Sequence, residues 1–86
     1  MPEVSRFYGI VIKMYYNDHN PPHFHAEYGR DQMVVDFNTL AIIGGRLPPR
    51  ATGLVIEWAA QHQGKLQEAW EQARNREPLD RIAPLP

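Results

Sequence analysis

Cysteine is missing from this sequence altogether. That excludes disulfides, a thiolate nucleophile and any cysteine-type zinc site, so stability has to come from packing. Long apolar runs are missing too: the longest spans a few residues, against the roughly 20 that a bilayer-crossing helix needs. Positive charge is not in excess. Nine Lys and Arg are scattered among ten Asp and Glu, for a net charge of −1. The clustered cations that draw a protein onto nucleic acid are therefore lacking, and a nucleic-acid partner is not favoured. The start, Met1 to Arg6, has no cationic patch followed by an apolar stretch, as a secretory signal would require. A cytoplasmic protein with no membrane partner is expected.

What is present fits one domain, residues 1–86, with a thin stability margin. The core must come from the 43% apolar residues, among them Phe7, Phe24, Phe37, Trp58 and Trp70. A partner subunit is a natural way to add to it, although nothing in the sequence sets whether the chain associates with itself.

Residues Phe7 to Tyr16 are β-branched, aromatic or long and read as a strand. Ile10, Ile12, Met14 and Tyr16 share one face; Val11, Lys13 and Tyr15 share the other. Asn17 to Pro22 breaks it, because Asn and Asp favour turns and two prolines remove ladder donors. His23 to Tyr28 alternates strictly, with Phe24, Ala26 and Tyr28 opposite His23, His25 and Glu27. Gly29-Arg30-Asp31 is a hairpin link to Met33–Phe37, and Asn38-Thr39 turns into Leu40–Ile43, ended by Gly44-Gly45. Three to four strands with short links make an antiparallel meander.

Pro48-Pro49 marks a helix entrance. From Ala51 to Ala73 apolar residues recur at helical spacing through Trp58, His62, Leu66 and Trp70. One helix over 49–75 would be roughly 40 Å long, in a domain roughly 30 Å across, so a kink near Gly64 is expected. Prolines 78, 84 and 86 forbid further helix, and Leu79, Ile82 and Leu85 give an extended tail something to bury. The fold expected is α+β: a meander, one long or kinked amphipathic helix, and an extended C-terminal tail.

Three of the four histidines fall within Asp18-His19-Asn20-Pro21-Pro22-His23-Phe24-His25-Ala26-Glu27. Imidazoles at i and i+2 on a strand sit about 7 Å apart on one face. That spacing allows three uses. His19, His23 and His25 could ligate a divalent transition metal as cofactor, with Glu27 or Asp18 completing the shell. His23 and His25, oriented by Glu27, could act as an acid–base pair, for instance on an RNA 2′-hydroxyl. Or the face is a contact surface, with Asp18, His19 and Tyr15 as binding residues. The prolines stiffen the bend that would gather these groups. His62, on the apolar helical stripe, reads as a core histidine. Arg46 and Arg50 flank the helix entrance, where an anion would be favoured, and are further candidate binding residues.

The runs Ser5-Arg6-Phe7-Tyr8-Gly9-Ile10-Val11-Ile12 and Met14-Tyr15-Tyr16-Asn17-Asp18-His19-Asn20-Pro21-Pro22-His23-Phe24-His25-Ala26-Glu27-Tyr28 carry a further signal. With Glu57-Trp58-Ala59-Ala60, His62 and Trp70 they resemble bacterial domain-of-unknown-function family 4160. Lys65 stands where that family usually has an acid. The resemblance implies a small protein encoded beside a second short one, of domain-of-unknown-function family 2442. Such pairs look like toxin–antitoxin modules, with the present chain as the toxin-like component and the neighbour as its protein partner. The resemblance brings no catalytic residues with it.

Overall fold

The computed structural model describes residues 3–16 and 19–86. Five strands, β1 (Glu3–Phe7), β2 (Ile10–Lys13), β3 (His23–Tyr28), β4 (Asp31–Asp36) and β5 (Ala41–Gly45), precede two helices, α1 (Pro49–Gln61) and α2 (Gln63–Arg74). The strands form one sheet in chain order, each antiparallel to the next. The α+β class and the meander match expectation, but the counts differ: five strands instead of three or four, and two helices instead of one.

The extra strand arises because the expected first strand is cut at its start. Tyr8 and Gly9 both take left-handed backbone angles, φ 51° and 80°, the pattern of a two-residue hairpin turn. Phe7 then pairs with Ile10, and β1 folds back along β2. Alternation could not reveal β1, because its ladder slips between Glu3 and Ser5 and both Val4 and Ser5 are buried. A bulky residue with positive φ is unfavourable; the Tyr8 hydroxyl donates to the Pro86 carbonyl oxygen, which holds the side chain in place.

The helical break falls at His62, two residues before Gly64. His62 leaves helical geometry (φ −130°, ψ 25°), and its N–H donates to the Ala59 carbonyl at 3.0 Å. Its ring packs on Trp58, with centroids 5.5 Å apart. Gln63 Nε2 donates to the Phe37 carbonyl at 2.8 Å, tying the start of α2 to the end of the sheet. These contacts, more than glycine's flexibility, fix where the chain bends, and they keep the molecule within 33 × 25 × 23 Å.

One face of the sheet is the core wall. Phe7, Ile10, Ile12, Phe24, Ala26, Met33 and Val35 meet Val55, Trp58, Ala59, Leu66 and Trp70 in one buried cluster. Trp58 packs on Phe7 and Phe24 at 5.4 and 5.7 Å between ring centroids. Trp70 meets Phe37 at 6.3 Å. The tail runs extended over both layers. Ile82 N–H donates to the Val4 carbonyl and Trp58 Nε1 to the Ala83 carbonyl, each at 2.8 Å. Ile82 and Leu85 are buried. Arg81 and Arg6 both pair with Glu3 at 2.9 Å. Among the described residues no helix is long and apolar enough to cross a membrane.

Candidate functional site

β3 lies in the middle of the sheet, between β2 and β4. Strand pleating sends Phe24 and Ala26 into the core and leaves His25 and Glu27 on the opposite, uncovered face. There His25 lies opposite Lys13 of β2 and Val34 of β4. Lys13 Nζ reaches across to the Glu27 carboxylate at 3.0 Å. Tyr15 sets its ring edge-on to His25, with centroids 4.7 Å apart.

His23, at the first position of β3, behaves differently. It is only 8% exposed. Its ring lies 5.2 Å from His25 on one side and 5.3 Å from Trp70 on the other. Nδ1 is 2.6 Å from the Pro21 carbonyl oxygen. A carbonyl only accepts, so Nδ1 carries the proton. The Asn20–Pro21 peptide is cis. The result is a continuous stack, Tyr15–His25–His23–Trp70, running from the open face around the end of the sheet into the core.

The candidate residues thus fall into groups. His23, His25 and Tyr15 are brought together, with Glu27 on the same face but paired to Lys13. His19 is exposed, and Asp18 lies outside the described residues. Among the described residues no group of three or more His, Asp or Glu side chains is placed to hold a metal ion. Of the expected ligand set His19, His23 and His25, His23 is turned inward onto Trp70 and the Pro21 carbonyl. Asp36, opposite His23 in the ladder, is occupied in its own turn, accepting from the N–H groups of Asn38 and Thr39 at 2.9 and 3.2 Å.

Arg46 and Arg50 line different clefts. Arg46 borders an open trough with Ile42, Leu47 and Pro48. Arg50 lines a cleft of about 160 Å³ with Tyr8, Tyr28 and Leu54. That cleft adjoins one of about 330 Å³ bordered by Glu57, Gln61 and Leu85. Sequence reasoning missed this second region, because it is assembled from the β1–β2 turn, one face of α1 and the tail. The spacing of Arg50, Leu54, Glu57 and Gln61 along one helical face was the available signal.

A five-stranded meander backed on one face by two helices, with a histidine–tyrosine stack on the other, defines an α+β domain with a single uncovered sheet face. The chain belongs to the family described as Domain of unknown function (DUF4160), which matches residues 9–71. That span takes in β2 to β5, α1 and the histidine segment. No curated protein and no solved structure matches the chain.

Proposed function

We propose that the protein is a contact module, the toxin-like half of a two-gene pair of toxin–antitoxin type, and that it engages its small partner protein through the open sheet face around Tyr15 and His25. The observation that carries this reading is the rooting of the stack. His23 is buried between His25 and Trp70, so the half-buried rings of Tyr15 and His25 stand on a rigid base. Rigid aromatic side chains with a polar tip lose little entropy on docking and recur as interface anchors. The pairing with a neighbouring gene product rests on the family resemblance alone.

The test uses the intact chain and the product of the adjacent gene. Tyr15→Ala with His25→Ala weakens their complex by tenfold or more, about 1.4 kcal/mol, in a calorimetric titration, with unchanged circular dichroism. Expression of the chain alone slows growth, and co-expression of the neighbour restores it. Unaltered affinity in the folded double variant sinks the proposal.

A second reading, acid–base cleavage of RNA by His23 and His25 with Glu27 orienting them, is supported by the 5.2 Å between the rings. The burial of His23 and the Lys13–Glu27 ion pair weigh against it. RNA cleavage by the purified protein that His25→Ala abolishes would favour it over the contact module.

A further inference from the structure

The two borders of the sheet are finished differently. Along β1 the tail is bonded to the strand, Ile82 to Val4, and Glu3 holds Arg6 and Arg81 beside it. Among the described residues no strand lies beyond β5. An uncovered edge presents unpaired N–H and C=O groups to any extended chain, and proteins blunt such edges with lysine, proline, inward charge, bulges or a covering segment. Ala41-Ile42-Ile43-Gly44-Gly45 carries neither charge nor proline, and its one blunting device is a bulge between Ile42 and Gly44. Ile42 and Ile43 are 46% and 47% exposed. Ile42 also lines the open trough with Leu47, Pro48 and Thr52, about 780 Å³ in volume.

We propose that β5 is the docking edge for a second copy of this chain, the two β5 strands pairing antiparallel about a two-fold axis at Ile43 so that both sheets become one. Extended backbone is the chemistry that satisfies the edge, and the two-fold sets Ile43 of one copy against Ile43 of the other, with Ile42 opposite Gly44. Charge selects the arrangement. With the axis at Ile43, Arg46 of one copy falls beside the turn at 37–40 of the other, where the Asp36 carboxylate is bonded to the backbone. Among the described residues Arg46 has no ion-pair partner. A parallel pairing would instead oppose Arg46 to its own counterpart. None of the open-face residues takes part, so this pairing is independent of the contact with the neighbouring gene product.

The experiment is sedimentation equilibrium of the full chain over a wide concentration series, with Ile43→Lys and Arg46→Glu beside it. The expected result is a mass that doubles with concentration, a midpoint at least tenfold higher for Ile43→Lys, and a smaller rise for Arg46→Glu. Because the chain has no cysteine, Ile43→Cys gives a second measurement that does not depend on affinity. Under mild oxidation it should yield a disulfide-linked dimer, which Lys65→Cys on α2 should not. A single-copy mass throughout, a dimer indifferent to Ile43→Lys, or equal cross-linking from Lys65→Cys overturns the proposal. Protection of β5 only when the neighbouring gene product is added also overturns it, and assigns the edge to a foreign strand.

Discussion

At Gly45 the absence of a side chain decides whether β5 joins the sheet. Its φ is +63°, and a Cβ there would drive into the backbone at the Gln32 carbonyl. Gly45→Ala therefore costs about 2 kcal/mol or more, seen as a lower urea midpoint. At Gly64 an added Cβ meets nothing and the backbone is helical, so Gly64→Ala raises stability by roughly 0.5–1 kcal/mol. The two tryptophans make a second contrast. Both are buried, but Trp58 Nε1 donates to Ala83 whereas Trp70 Nε1 has no hydrogen-bond partner among the described residues. Trp58→Phe breaks a bond and orphans a carbonyl; Trp70→Phe removes a donor already unsatisfied. Paired urea unfolding curves should show Trp58→Phe the more costly by about 1 kcal/mol.

Among the elements, β1 and the tail form one clasp around Glu3. The Arg6 hydrogen bond holds the Glu3 carboxyl below its ordinary 4.5; partial burial opposes this, and Arg81 adds to it. A depressed carboxyl pKa stabilises the fold above the unfolded value and loses that contribution as pH falls through the folded value. Wild type should therefore lose stability below about pH 4.5 more steeply than Glu3→Gln, by thermal melts at low salt; parallel curves would rule the clasp out as a source of stability. The central elements were legible because alternation marks them: His23–Tyr28 has the bounds read from sequence, and Phe24 and Ala26 point inward. Tyr28 is 40% exposed because it lines the cleft with Arg50 and Leu54 at the start of α1. β1 was illegible because a slipped ladder buries Ser5 beside Val4, and because a tyrosine occupies a turn position that usually signals itself with Asn or Gly. The helix length demanded a bend, but its place depends on the packing of His62 on Trp58 and on the bond from Gln63 to Phe37, which is distant in sequence. The histidine face was half legible. Spacing put His23 and His25 on one side of the strand, yet only the packing of Trp70 shows that His23 belongs to the interior.

For the molecule as a whole, a meander pairs each strand with its sequence neighbour, so most of the sheet closes over short loops and forms early relative to long-range contacts. The tail is the exception, joining Ile82 to Val4 across nearly the full chain. It is a long strap across a sheet whose own pairings are local. If that strap lifts, the border it shielded becomes bare like the other, and a particle with two bare borders no longer stops at a pair. Each new copy would offer the next one a seat, and growth would run on as a ribbon. If β5 pairs as proposed, the tail bonded along β1 is what limits assembly to two copies.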